Sequence, residues 1–109
     1  MSKILLLEKE SETINQVARL VASNGYHFTN IQQTSQLFSQ LTIDSFDILL
    51  ADLDVLGAEY LNILRKIKSH TAFNTIDIVI LTNGQPDDVL AQCLEAGARD
   101  FISKPIRNL

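Results

Sequence analysis

The sequence predicts an α/β fold in which short strands of a parallel sheet alternate with amphipathic helices. The segments Lys3–Leu7, 47–51 and 76–81 are short and apolar apart from one charged residue near the start of each, as in strands that are buried on both faces. Between these runs the apolar residues change to helical spacing, most clearly over 60–67. Repeated switching between the two periods is typical of strands and helices that alternate around one parallel sheet.

The predicted order is a strand followed by a helix, four times over, and then a final strand. We expect helix 1 to begin at Ser11 as N-cap and to end at Asn24 and Gly25, because these residue types are preferred at those positions. Gly97 is expected to end the fourth helix in the same way. The predicted strands are Lys3–Leu7, 26–31, 47–52, 76–81 and Asp100–Ser103, and the helical stripes cover 14–21, 37–41, 60–67 and 89–94.

One face of the predicted sheet is expected to be less well covered than the other. Right-handed crossovers place one helix on one face and three on the other, whereas a parallel sheet needs cover on both. Residues 106–109 are too few to form a stable helix unaided. We therefore expect a fifth helix that is missing or truncated, and a homodimer through the under-covered face is one way to cover it.

Composition predicts a single domain over residues 1–109, since this length suits one core and is too short for two. Apolar residues make up 46% and the net charge is −4, which disfavours disorder and direct nucleic-acid binding. The apolar runs are far too short to span a bilayer and no signal-peptide pattern is present, so a cytoplasmic location with no membrane contact is expected. Cys93 lies on an apolar stripe and is predicted to be a buried core thiol.

Several polar side chains follow the predicted strands, where parallel strands deliver residues to one crevice. They are Glu8 and Lys9 after the first strand, Asp52 after the third, Thr82 after the fourth and Lys104 after the fifth. A carboxylate, a hydroxyl and an ammonium together suit phosphoryl transfer, in which the protein mainly positions groups and neutralises charge. Asp52 is the candidate nucleophile, since carboxylates form acyl-phosphate intermediates.

Four segments carry a resemblance to a known family, and they are KILLLEKE, FDILLADLD, DIVILTN and EAGARDFISKPI. Over essentially its whole length the chain resembles the receiver domains of two-component response regulators. The resemblance implies a flavodoxin-like three-layer sandwich with a five-stranded parallel sheet of order 2-1-3-4-5. GARDFISKP is the most specific of these motifs.

The resemblance also implies roles for individual residues. Asp52 stands at the position that a partner histidine kinase or phosphotransfer protein phosphorylates, and Thr82 and Lys104 stand at the positions of the family's switch hydroxyl and site lysine. Phe101 occupies the position of an aromatic whose rotamer reports phosphorylation, although a plain core role for this ring is the simpler interpretation. Asp54 occupies the position that offers Mg²⁺ a backbone carbonyl, and the Lys104–Pro105 bond is expected to be cis.

Lys9 is the main departure from the family pattern. Where the family has two adjacent acids, this chain has Glu8 and Lys9, so the formal charges of Glu8, Lys9, Asp52 and Lys104 cancel. A magnesium site built on Glu8, Asp52 and Asp54 is therefore expected to be weak or absent. Two alternatives are open for Lys9, namely a lysine extended into solvent and a built-in counter-ion of Asp52.

Two functions follow from these residues. The first is a phosphorelay receiver that accepts a phosphoryl group on Asp52 and switches the binding of a downstream effector; it is not an enzyme beyond self-catalysed transfer. The second is a pseudo-receiver that docks partners or dimerises without phosphorylation, because Lys9 replaces a metal-binding acid. Asn83 bears on the first, since it follows Thr82 where the family usually has a small residue.

Overall fold

A computed structural model of the chain describes residues 2–107 and contains a five-stranded parallel sheet of order β2-β1-β3-β4-β5. The strands are β1 (Lys3–Leu7), β2 (His27–Ile31), β3 (Ile48–Asp52), β4 (Asp77–Thr82) and β5 (Asp100–Ser103). The predicted fold class, sheet order and strand positions are confirmed, and the bounds differ from prediction by at most one residue.

Four helices connect the strands. They are α1 (Ser11–Ser23), α2 (Leu37–Ile43), α3 (Tyr60–Ser69) and α4 (Asp87–Glu95). A single helical turn, Leu53–Leu56, follows β3, and short 3₁₀ turns precede α2 and α3. Within residues 2–107 no fifth helix follows β5, as the sequence predicted.

The predicted N-cap of α1 is wrong by one residue. Glu10 is the N-cap in extended conformation, and Ser11 is the first helical residue. The reason is a polar turn before the helix, in which Glu8 accepts the backbone N–H groups of Lys9 and Glu10. The carboxylate of Glu10 accepts the hydroxyl of Thr13 at 2.6 Å instead of capping the backbone.

The two faces of the sheet carry two separate apolar cores. The larger core lies beneath α2, α3 and α4 and contains Leu5, Leu49, Ile80 and Cys93, so the predicted burial of that thiol is confirmed. The smaller core lies beneath α1. It includes the buried side chains Ile4, Leu6, Val17, Val21, Leu50, Leu81 and Ile106.

Within residues 2–107, three of the six partly buried apolar side chains that pack on the α1 core lie in β3, β4 and β5. They are Ile48, Val79 and Ile102, one from each of β3, β4 and β5. A single helix cannot cover five strands, so this half of the face has the thin cover that the crossover rule predicts. Among the described residues no helix is long and apolar enough to cross a membrane.

Candidate functional site

The polar residues that follow the strands meet in one pocket at the carboxyl edge of the sheet. Parallel pairing aligns Leu7 of β1 with Ala51 of β3, so the next residues, Glu8 and Asp52, stand side by side. Glu8 is 1% exposed, Asp52 is 3% exposed and Thr82 is 1% exposed. Charged side chains are almost never buried this deeply unless they are paired, so a partner for the two carboxylates is required.

Lys104 is that partner. Its Nζ lies 2.8 Å from Oε2 of Glu8 and 2.8 Å from Oδ1 of Asp52, with only 5% of its side chain exposed. The backbone N–H of Lys104 donates to the carbonyl of Thr82 at 2.8 Å, and the Lys104–Pro105 bond is cis, as the resemblance implies. One ammonium therefore bridges both buried acids.

The charge of Lys104 is stabilised by this arrangement. Burial lowers the pKa of the Lys104 ammonium, because the charged form loses solvent. The contacts with Asp52 and Glu8 act in the opposite direction and outweigh burial, so that the pKa of Lys104 lies above its ordinary value. The lysine is therefore protonated at neutral pH and places a positive charge between the two buried acids.

The two oxygens of Asp52 have different surroundings. Oδ2 accepts the backbone N–H of Val55 at 3.1 Å, so Asp52 is the N-cap of the helical turn that follows β3. Oδ1 is buried, has no aligned hydrogen-bond donor and faces the ammonium of Lys104. Oδ1 is thus positioned mainly by its ion pair with Lys104, and no backbone N–H group of the described residues donates to it.

Both oxygens of Glu8 are engaged. Oε1 accepts the backbone N–H groups of Lys9 at 3.0 Å and Glu10 at 3.1 Å, and Oε2 pairs with Lys104. The side-chain amide of Asn30 also donates to the carbonyl of Glu8 at 3.1 Å. Glu8 therefore shapes the loop between β1 and α1 and orients the lysine at the same time.

A polar bridge spans the pocket mouth between the segments that follow β3 and β4. Nδ2 of Asn83 donates to Oδ2 of Asp54 at 3.0 Å, and Nε2 of Gln85 lies 3.4 Å from Oδ1 of Asp54. The backbone N–H of Asn83 donates to Oε1 of Gln85 at 2.8 Å. The sequence reasoning missed Gln85; the one available signal was its place three residues after Thr82, in the loop that must border the site.

Lys9 does not pair with Asp52. Its side chain is exposed, and the ammonium forms no ion pair within 4 Å among residues 2–107. The counter-ion hypothesis for Lys9 is therefore wrong, because Lys104 already occupies the position between the acids. The solvent-exposed alternative describes Lys9 as it stands.

The residues predicted to hold Mg²⁺ do not fit that ion in this arrangement. A magnesium ion takes near-octahedral oxygen ligands, including one or two carboxylates. All four carboxylate oxygens of Glu8 and Asp52 face a nitrogen donor of this chain. In the described range no group of three or more His, Cys, Asp or Glu residues is arranged to hold a metal.

Phe101 is less buried than a core role predicts. The residue is 37% exposed, since β5 is an edge strand. Phe101 pairs in register with Ile80, which belongs to the larger core, so the ring lies at the rim of the α4 face.

A parallel sheet of this order, with a buried aspartate and lysine at its carboxyl edge, defines a receiver-type α/β domain. The chain belongs to the response regulator receiver domain family, whose family model matches residues 4–108. The predicted family is thereby confirmed.

Curated relatives agree with this assignment. The chain is 27% identical over 107 residues to the two-component response regulator-like protein APRR1 of Arabidopsis thaliana. This match covers 96% of the present chain but only 17% of APRR1. The chain is also 27% identical over 104 residues to the transcriptional regulatory protein KdpE of Staphylococcus aureus. That match covers 95% of the present chain and 44% of KdpE. The chain thus spans less than half the length of these relatives.

Solved structures share the fold. A response regulator from Thermotoga maritima matches with a TM-score of 0.88 and 22% identity, over 98% of this chain and 87% of that one. The receiver domain of a sensor histidine kinase from Pseudomonas aeruginosa matches with a TM-score of 0.81 and 23% identity, over 97% and 87%. That structure has a magnesium ion coordinated in its active site cleft.

Proposed function

We propose that this domain accepts a phosphoryl group on Asp52 and thereby changes its affinity for a protein partner. The observation that carries the proposal is the state of Oδ1 of Asp52, which is buried, free of aligned donors and 2.8 Å from the ammonium of Lys104. A positioned carboxylate beside a fixed positive charge is the arrangement that phosphoryl transfer needs.

The donor in this proposal is a phosphohistidine on a sensor histidine kinase or a phosphotransfer protein. Oδ1 of Asp52 bonds to phosphorus, the phosphorus–nitrogen bond breaks, and the imidazole nitrogen of the donor keeps the electron pair and takes a proton from solvent. Lys104 neutralises charge on the phosphoryl oxygens, and the hydroxyl of Thr82 donates a hydrogen bond to one of them. The domain catalyses only this transfer to itself and is otherwise not an enzyme.

The switch in this proposal runs from Thr82 to Phe101. Thr82 is buried beside the acceptor, and its neighbour in β5 is Ser103, two residues from Phe101. Movement of Thr82 toward a phosphoryl group would open space that the half-exposed ring could enter, and this would alter the surface presented to a downstream effector.

A second function is favoured by the engagement of the pocket carboxylates with the chain's own nitrogen donors. In this alternative the domain is a pseudo-receiver that docks a partner or dimerises without phosphorylation, through the α1 face where Ile48, Val79 and Ile102 are partly buried. Mg²⁺ binding at Glu8, Asp52 and Asp54 would be weak or absent, because the ion would have to displace donors already in place.

Beryllofluoride, a mimic of the acyl phosphate, separates the two functions. Amide NMR spectra would be recorded for the natural chain and for Asp52→Ala, with beryllofluoride added in the presence and absence of Mg²⁺. Shifts at Asp52, Thr82 and Phe101 that disappear in Asp52→Ala support the phosphoacceptor. No response in either protein, under either condition, would support the pseudo-receiver.

A further inference from the structure

The carboxylates of the acceptor pocket are neutralised by nitrogen atoms of this chain. Oε1 of Glu8 has two backbone N–H groups, and Oε2 of Glu8 and Oδ1 of Asp52 share the ammonium of Lys104. Oδ2 of Asp52 has the N–H of Val55. A divalent cation would have to break these contacts and would then lie beside one ammonium already in place.

Phosphorylation changes the charge that must be compensated. The carboxylate of Asp52 carries one negative charge, whereas the acyl phosphate that replaces it carries close to two, by analogy with other phosphorylated side chains. Lys104 is already shared between Asp52 and Glu8. The phosphorylated pocket therefore needs one further positive group.

Lys9 is placed to be that group. Its backbone N–H is fixed on Glu8 at 3.0 Å, which holds its Cα at the pocket edge. Its side chain is exposed and forms no ion pair with residues 2–107, so its ammonium can move without breaking an ion pair of the described chain. A flexible four-carbon stem lets a lysine reach an oxygen that arrives at such an edge.

We propose that Asp52 is phosphorylated without a divalent cation, and that Lys9 supplies the second positive charge to the phosphoryl group. This inference rests on the proposed phosphoacceptor function and specifies its charge compensation. Lys9 lies outside the pocket in the unmodified protein and folds over the phosphoryl oxygens once they are present. The side chains of Lys104 and Lys9 then neutralise the phosphoryl charge that a cation and one lysine would otherwise neutralise.

Two other carboxylates near the pocket offer an alternative to Lys9, because they could bind a cation that supplies the second positive charge. Glu10 and Glu12 line a cavity of about 260 Å³, together with Lys104 and Asn83. Glu10 is engaged by the hydroxyl of Thr13 at 2.6 Å. A cation held by these residues would give a metal-dependent reaction, and this is the result that the experiment below tests against.

Acetyl phosphate is a suitable donor, because it needs no partner protein. An oxygen of the Asp52 carboxylate bonds to phosphorus, the bond from phosphorus to the acetate oxygen breaks, and acetate leaves with the electron pair. No proton is consumed. The product is counted by intact mass spectrometry as one added phosphoryl group, and Asp52→Asn gives the background.

The reaction would be followed in excess EDTA and in excess Mg²⁺, for the natural chain and for Lys9→Ala. We expect the natural chain to react in EDTA at a rate within about twofold of that in Mg²⁺, and Lys9→Ala to lose about tenfold or more in EDTA. Lys66→Ala removes an exposed lysine of α3 instead, and serves as the matched control with an unchanged rate.

Each other outcome overturns the inference in a recognisable way. Reaction of the natural chain only in Mg²⁺ rejects cation-free transfer and leaves the phosphoacceptor function standing. Equal rates for Lys9→Ala and the natural chain in EDTA reject the role of Lys9. No phosphorylation under either condition rejects the phosphoacceptor function itself, and the inference with it.

Lys9→Asp provides a readout that does not depend on turnover. The substitution puts a carboxylate where the charge of Lys9 was, so Mg²⁺ should then bind and shift the amide signals of Glu8 and Asp52. The natural chain should give no such shifts at the same Mg²⁺ concentration. Equal shifts in both proteins would mean that Lys9 does not govern cation binding, and would overturn the inference.

Discussion

The side chain of Asn83 donates a hydrogen bond of 3.0 Å to Asp54, which ties the segment after β3 to the segment after β4. Asp54 and Asn83 are both exposed. Asp52, two positions before Asp54, and Thr82, one position before Asn83, are buried. The bridge thus lies between solvent and the acceptor carboxylate. Any phosphodonor that approaches Asp52 from this side meets it first.

Asn83→Ala should therefore speed phosphorylation of Asp52 by a small donor. The bridge must open before the donor enters, and a hydrogen bond of this kind contributes about 0.5–1.5 kcal/mol. The expected gain in the rate with acetyl phosphate is about two- to tenfold, since 1.4 kcal/mol corresponds to a factor of ten. The rate is measured by intact mass against time.

Asn62→Ala is the matched control for that substitution, because Nδ2 of Asn62 donates to the carboxylate of Glu59 at 2.6 Å on the surface of the segment that starts α3. It removes the same kind of bond far along the chain from the pocket mouth and should leave the rate unchanged. A rate for Asn83→Ala equal to that of Asn62→Ala would show that the bridge does not limit access.

Gly97 occupies a backbone conformation that other residues rarely adopt, with φ of +117° just after α4. A Cβ at this position would also collide with Cγ of Lys68. Gly97→Ala should lower the free energy of unfolding by about 1–3 kcal/mol, through backbone strain and displacement of the lysine stem. Urea denaturation followed by circular dichroism measures this change.

Gly25→Ala is the comparison variant that has no steric contact. Gly25 also has positive φ, +72°, but a Cβ there would meet nothing within 4 Å. This value lies near the left-handed region that L-residues can enter, so Gly25→Ala should cost about 1 kcal/mol, less than Gly97→Ala. Equal losses for both variants would mean that the contact with Lys68 is unimportant.

The fold could be predicted from the sequence because its signal is periodic. Residues such as Leu49 and Ile80 lie in uninterrupted apolar runs that only a doubly covered strand explains, and the structure buries both completely. Phe101 departs from this pattern. Apolar character alone does not reveal that its strand is at the edge, where the residue is left 37% exposed.

The members of the pocket could be predicted, but their pairing could not. Strand ends deliver Glu8, Asp52, Thr82 and Lys104 to one place by topology. Which ammonium lies between the acids depends on the course of the chain after β5, and no spacing rule distinguishes Lys104 from Lys9 in this respect. Likewise, the bridge from Asn83 to Asp54 depends on loop conformation, which hydrophobic periodicity does not predict.

Lys104→Met tests the energetic role of the buried ammonium. Because removal of one partner leaves uncompensated buried charges, the free energy of unfolding at pH 7 should fall by about 3 kcal/mol.

The pKa of Lys104 is raised on folding, so its contribution is fully present below the ordinary value of 10.5 and is lost as the pH rises through the higher folded pKa. Urea denaturation should thus give a difference in the free energy of unfolding between the natural chain and Lys104→Met. This difference should be constant near neutral pH and should become smaller at strongly alkaline pH. Lys3→Met, which breaks the exposed pair with Asp44 at 2.6 Å, should lower the free energy of unfolding much less than Lys104→Met does, because solvent screens the exposed pair. A loss no larger for Lys104→Met than for Lys3→Met would contradict the buried ion pair.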